Sequence, residues 1–322
     1  GYDFSTIRPK GAAVAGVVTG PQAAVTYDVF LPNLASLVPQ INGPLSVKGD
    51  ARKQGQAWRI ATTADGPAGT NAQVGGTVNP NGTLNLDIAG TAPLGLSRPF
   101  IAPRSLQGQA RFDLSVNGPP ALSSVTGTIQ TNNASLSAPN LRLALEGIAA
   151  TIRLTRNRAN LDITGNAVTG GRLRVGGGVA LTGSLPADIQ IGLENLALVD
   201  PKLYATTLNG AVRLAGPLAG GARISGVINV GETEVSVPST GLTSIGDIPA
   251  INHIGATRPV LSTRRKAGID AASQAEAQAG NSGPGFGLDL RINAPNRIFV
   301  RGLGVDAELG GGLTLQGTTN RI

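Results

Sequence analysis

A chain of 322 residues that is 41% hydrophobic is long enough to bury a sizeable core, yet only 3% of it is aromatic, so its apolar surface comes from Val, Leu, Ile and Ala rather than from large rings. With no Cys, disulfides, thiolate-ligated zinc and cysteine nucleophiles are excluded, and no apolar run reaches the roughly 18 to 20 residues that cross a bilayer as a helix. The formal charge of +7 is scattered as single basic residues, among them Arg111, Arg142, Arg153, Arg172, Arg174, Arg213 and Arg223, with no aromatic platform beside them, which argues against nucleic acid and for a solvated polar face.

In chain order, strand-like pieces at Ala12–Thr19 and Ala24–Val29 precede Pro32–Gln40, where Leu34, Leu37 and Val38 fall at helical spacing and predict a short helix or turn. From Gly43 to Pro238 one phrase recurs, a run of alternating apolar and polar residues closed by glycine. It is clearest at Gln107–Gly118, where Ala110, Phe112, Leu114 and Val116 share one face of a strand and Gln109, Arg111, Asp113 and Ser115 the other. Variants stand at Leu45–Gly49, Thr83–Gly90, Leu141–Gly147, Asn160–Gly165, Gly171–Gly176, Ile189–Glu194, Ala211–Gly216 and Glu234–Pro238. Roughly fifteen such segments, most about four to seven residues long and separated by Gly, Pro, Asn and Ser, predict an all-β fold with a degenerate repeat. The 46 glycines and the scarcity of rings favour an elongated sheet over a closed ball. Triplets such as Gly176–Gly178 and Gly310–Gly312 read as bulges or tight bends at strand ends.

Two stretches break the pattern. Ser97–Pro103 reads as an apolar plug or crossover, and residues 239–285 lose the alternation altogether. The expected organisation is therefore a repetitive β segment over 1–238, a flexible loop or insertion over 239–285 with a transient helix at Asp270–Ala279, and a β continuation over 286–322. With no Met, the chain is expected to begin inside a longer protein or after a processed start, any membrane anchor lying outside it.

Chemistry-bearing constellations are sparse. His253 is the single histidine and sits in the loop-like stretch beside the one basic cluster, Arg264–Lys266; general acid-base or metal chemistry needs rigid partners that the sequence does not place near it. The glycines match neither phosphate-cradling spacing, and the acidic residues lack the dense ladder of calcium-binding β-rolls. A non-enzyme with no catalytic, cofactor-binding or metal residues is expected.

The tail, Ala294–Gly311 followed by Leu313–Thr318, resembles the C-terminal region of the TamB family, the translocation and assembly module subunits of Gram-negative bacteria. Residues 106–118, 170–173 and 224–230 are similar to the same family in the same order. The resemblance implies an AsmA-like, bridge-type lipid carrier whose curved sheet forms an open, solenoid-like groove, a β-taco, with an apolar interior. It further implies a periplasm-spanning protein anchored in the inner membrane by a segment absent here, meeting the outer-membrane barrel TamA at its far end, with the extreme C-terminus also lying beyond this chain. On that reading phospholipid acyl chains slide along a lining of Ala110, Phe112, Leu114, Val116, Leu141, Leu143, Leu145, Leu161, Ile163, Leu173, Val175, Ile189, Ile191, Leu193, Val212, Leu214, Leu288, Leu290 and Ile292.

Two rivals remain open at the level of sequence. The apolar face packs into a closed core, as in a sandwich, barrel or adhesin-type β-helix; or the groove keeps its shape but chaperones outer-membrane or autotransporter proteins by β-augmentation. An outer-membrane barrel requires longer strands of about ten residues and aromatic girdles that this composition cannot supply.

Overall fold

Alternating segments joined by turns of a few residues collapse most simply onto their sequence neighbours, each strand pairing with the next, and the described part of the chain does this almost without exception. The computed structural model describes residues 2–3, 17–18, 24–36, 38–237, 285–302 and 304–319. β1 (Tyr2–Asp3) and β2 (Val17–Val18) form a separate two-stranded pair. There follow β3 (Ala24–Leu31), β4 (Leu45–Gln54), β5 (Ala57–Asp65), β6 (Asn71–Val78), β7 (Leu84–Pro93), β8 (Ser105–Gln107), β9 (Gln109–Gly118), β10 (Val125–Ala138), β11 (Leu143–Thr155) and β12 (Arg158–Ala167). Then come β13 (Arg172–Ala180), β14 (Pro186–Asp200), β15 (Tyr204–Pro217), β16 (Arg223–Ser236), β17 (Gly287–Gly302) and β18 (Val305–Thr318).

These sixteen strands make one sheet, ordered β3-β4-β5-β6-β7-β9-β10 and onward in sequence to β18, with β8 added beside β10. Its two ends do not meet, so the sheet is open and all-β, as the alternation predicted. Fourteen spacings of about 4.8 Å along the path give a contour of about 70 Å. Every pairing is antiparallel except β16 with β17, which is parallel. A parallel neighbour needs a long crossover rather than a hairpin, and residues 237–286 supply the connection. The expected insertion at 239–285, with Asp270–Ala279, His253 and Arg264–Lys266 inside it, lies almost wholly outside the described residues, as do residues 12–16 and Leu37. Pro32–Gln40 forms a single 3-10 turn at Leu34–Ser36.

Apart from β8, the strands are longer than expected, from 8 residues in β3 to 16 in β17, because glycines lie inside them rather than at their ends. The two glycine triplets are accordingly within β13 and β18. Gly177 shows why glycine is required there: its φ is +134°, and a Cβ would stand 2.1 Å from the Asp188 carbonyl of the next strand.

The sheet also bends along a line of bulges. Register slips occur between Thr131 and Leu136 in β10, Glu146 and Ala149 in β11, Leu193 and Leu196 in β14, Asn229 and Thr233 in β16, and Ala294 and Ile298 in β17. Asn133, Gly147, Asn195 and Arg297 take left-handed conformations beside these slips, so the long strands kink at a common level and the sheet curls. Asparagines stitch the same level on the outer face: the Asn209 amide donates to Asn195 Oδ1 at 3.1 Å and the Asn293 amide to Asn229 Oδ1 at 3.2 Å.

Candidate functional site

Because side chains alternate, the register alone decides which residues share the inner face. Following paired positions from β3 to β18 gives Val29, Val47, Ala64, Ala72, Gly90, Phe112, Ile129, Ile152, Leu161, Gly177, Ile189, Leu214, Ile224, Leu288 and Gly317. No polar or charged residue interrupts this row across fifteen strands. A neighbouring row runs Ala150, Ile163, Val175, Ile191, Val212, Gly226, Leu290 and Leu315. Glycine on the inner face makes room for rings: a Cβ on Gly90 would touch the tip of Phe112 at 2.7 Å, and one on Gly49, in the row of Tyr27 and Thr62, would meet the Tyr27 hydroxyl, which is hydrogen-bonded to the Thr62 hydroxyl.

The rows are covered unequally. Around β10–β15 a cluster of Ala134, Leu145, Ile148, Ala167 and Leu196 is buried, the tightest being Ala134 at 1% exposed. Elsewhere Phe112, Ile129, Ile152, Leu161, Val175, Ile191, Val212 and Leu290 stay half-buried. No large side chain among the described residues is fully buried, and alanine makes up more than half of the buried hydrophobic residues. A sandwich or barrel core seals its large aliphatics at native packing density; this face instead leaves them along an unfilled trough, which the buried cluster lines at its middle.

Part of the trough is roofed. Between β7 and β9 the chain leaves the sheet through a 3-10 turn at Leu94–Ser97 and the four-residue α1 (Arg98–Ile101), then returns through β8. Leu94, Ile101 and Leu106 of this excursion close over Ile129, Ile152 and Ile163, leaving an apolar cavity of about 390 Å³. The expected plug at Ser97–Pro103 thus appears as a lid whose Ile101 points inward while Phe100 is 60% exposed.

Of the lining residues read from the sequence, Ala110, Phe112, Leu114 and Val116 lie on the inner face of β9, Leu143 and Leu145 on β11, Leu161 and Ile163 on β12, and Leu173 and Val175 on β13. Ile189, Ile191 and Leu193 of β14, Val212 and Leu214 of β15, and Leu288, Leu290 and Ile292 of β17 continue it. Leu141 does not join them. It sits 56% exposed in the Pro139–Leu141 turn, because Arg142 adopts φ +48° and ends the alternation before β11 begins. The sequence reading missed Ala134, Leu136 and Ile148, which follow bulges, and the lid residues Leu94, Ile101 and Leu106, which belong to no alternating run. Apolar residues three apart at Leu145 and Ile148, across a glycine, were the available signal.

The outer face is polar and paired. Lys48 meets Asp28 at 3.1 Å and Arg174 meets Glu194 at 3.0 Å, while Arg213 grips Asp188 with two bonds of 2.7 Å. Hydrogen bonding from Arg213 holds the Asp188 carboxyl below its ordinary value and raises the guanidinium in return. A depression of about 880 Å³ lies on this face over β3–β7, lined by groups such as Asp28, Lys48, Asp50 and Arg52. It is shallow, and its charges already pair with one another, so it lacks the convergent unsatisfied groups of a binding site. One carboxylate is different: Asp200, 3% exposed, lies 3.0 Å from Arg142 at an angle short of a hydrogen bond, and ties the β10–β11 and β14–β15 turns together over the β12–β13 turn.

Among the described residues no helix is long and apolar enough to cross a membrane. No curated protein and no solved structure matches the chain significantly. The family model of the TamB C-terminal domain matches residues 160–322, slightly more than half of the chain, from within β12 through β18. The apolar trough, the open sheet and this match together place the chain in the TamB family.

Proposed function

We propose that this chain is a non-catalytic, lipid-conducting segment of a periplasm-spanning TamB protein, carrying phospholipid acyl chains between inner and outer membranes and supporting outer-membrane biogenesis together with TamA. The observation that carries the reading is the uninterrupted apolar row from Val29 to Gly317 whose large members remain half-buried. Moving a methylene from one aliphatic site to the next exposes nothing, whereas lifting it into water costs about 0.8 kcal/mol. A tail therefore stays in the trough and slides, and the headgroup trails in solvent at the mouth. Most lining residues are small and aliphatic, and the Phe112 ring stands singly in its row, so no deep aromatic pocket arrests the tail.

A chaperone reading draws on a different feature, the outer edge of β18, which pairs with no other described strand and where Val305, Leu309 and Leu313 are about half exposed. Exposed edges accept added strands. Photocrosslinking in the full-length protein from Leu143 or Leu193, both inside the trough, tests the conduit. Phospholipid adducts are the expected result; adducts confined to nascent barrel peptides would move the function to chaperoning.

A further inference from the structure

The lid over the trough is a built element rather than a loose loop. Leu94 N–H donates to Gly108 O at 2.9 Å and closes its base, Ala102 N–H to Arg98 O at 3.1 Å and Arg104 N–H to Ile101 O at 2.9 Å shape its turn, and β8 pairs with Ser135–Ser137 of β10. The cavity beneath, about 390 Å³, falls within the usual ligand-sized range of about 300–1,000 Å³. Its wall is hydrocarbon; the Thr131 hydroxyl beside it is already spent on Gln109 O at 2.7 Å. Water finds too few partners in such a space to fill it, whereas an apolar ligand needs none.

One charged residue borders this cavity. Arg104, at the hinge where the lid turns into β8, is among the residues that border it, yet it is exposed and makes no side-chain hydrogen bond or ion pair with any described residue. No carboxylate lines the cavity. A hydrocarbon slot bordered by an exposed arginine whose guanidinium has no described partner is complementary to an amphiphile with one tail inside and an anion outside. Guanidinium geometry matches phosphate oxygens, two N–H groups to two oxygens, better than it matches a diffuse charge.

We propose that the lidded cavity between β9 and β13 is a holding subsite for one acyl tail of a phospholipid, and that Arg104 selects it by binding the headgroup phosphate. The proposal rests on the lipid-conduit reading and adds to it a fixed station and a headgroup preference.

The test uses two probes with the same tail, dodecyl phosphate and dodecyl maltoside, each displacing the apolar dye N-phenylnaphthylamine from the purified chain. The wild type is expected to prefer the phosphate about tenfold, the size of one charge-assisted contact. Arg104→Ala removes that preference, weakening the phosphate probe about tenfold more than the maltoside, and Arg104→Lys retains part of it. Ala150→Phe, which fills the cavity from the sheet side, weakens both probes without altering their ratio. A ratio that survives Arg104→Ala overturns the headgroup assignment, and undiminished binding in Ala150→Phe overturns the location, while either result leaves the conduit standing. Failure of both probes to displace dye from the wild type would remove the conduit reading itself.

Discussion

Ile191→Asp separates an open trough from a packed core. Ile191 lies between Val175 and Val212 in an inner row and is half-buried. Full burial of an isoleucine side chain is worth about 1.5–3 kcal/mol, so losing it from a half-covered site costs the fold about 1 kcal/mol. The carboxylate introduced there remains hydrated from the open side, and no buried charge is created. Transport is affected differently. A tail passing the carboxylate has two or three methylenes held off the wall, at about 0.8 kcal/mol each, adding about 2 kcal/mol to the barrier and slowing passage about 30-fold. The assay is transfer of a fluorescent phospholipid between vesicles by the purified chain, alongside its urea unfolding curve, with Gln190→Asp on the outer face as the control. Loss of more than about 4 kcal/mol of stability would mean that Ile191 is locked in a closed interior, and transfer at the wild-type rate would mean that tails do not pass it; either refutes the reasoning.

Gly177→Ala forces a side chain into the Asp188 carbonyl at a positive φ and is expected to destabilise by several kcal/mol, whereas Gly192→Ala, which faces open space on the adjacent strand, stays within about 0.5 kcal/mol of wild type in the same urea titration. Arg142→Ala leaves the buried Asp200 carboxylate without its counter-ion, held only by the Lys202 N–H, and costs about 2 kcal/mol, less than for a fully buried pair because the arginine is half exposed; adding Asp200→Asn recovers most of the loss in a double-mutant cycle. Asp188 has a lowered carboxyl value in the folded chain, so whatever its pair with Arg213 contributes is present above the ordinary carboxylate value and lost as pH falls through the lowered one. The difference in melting temperature between wild type and Arg213→Ala should therefore shrink on acidification and in high salt, and a difference that persisted in both would show that the arginine acts through packing instead.

Alternation with a period of two was enough to identify strands and their inner faces, since β9, β12, β13 and β17 carry their lining residues where the pattern places them. The pattern fails wherever the backbone breaks parity. Arg142 at φ +48° detaches Leu141 from β11; the left-handed Asn133 and Gly147 shift the phase so that Ala134 and Ile148 turn inward. No local signature distinguishes an asparagine that bulges from one that ends a strand, because both use its tolerance of the left-handed region. The lid was legible only as an interruption. Its placement, with Leu94, Ile101 and Leu106 lining one cavity together with Ile129 and Ile152, is fixed by tertiary closure across three strands, which propensity and periodicity do not encode.

What the register adds to the sequence is continuity, and continuity sets the resistance of the path. Each apolar phrase read alone provides four to six ångströms of lining, about one strand spacing; a tail moving along isolated patches would cross water between them. Pairing places Phe112 beside Ile129, Ile129 beside Ile152, and Ile152 beside Leu161, so that the greasy face has no gap between strands. Where the row falls to glycine, at Gly90, Gly177 and Gly317, it narrows without becoming polar. Corrugation along such a path is limited to differences in van der Waals contact, fractions of a kcal/mol per atom pair, until the lid adds a second wall between β9 and β13 and a tail gains contacts on both sides. The slowest step inside this segment is therefore expected at the lid, and deleting the inward side chain by Ile101→Ala should speed vesicle-to-vesicle transfer while weakening retention of lipid by the purified chain. Faster transfer with undiminished retention would show that the second wall does not hold the tail.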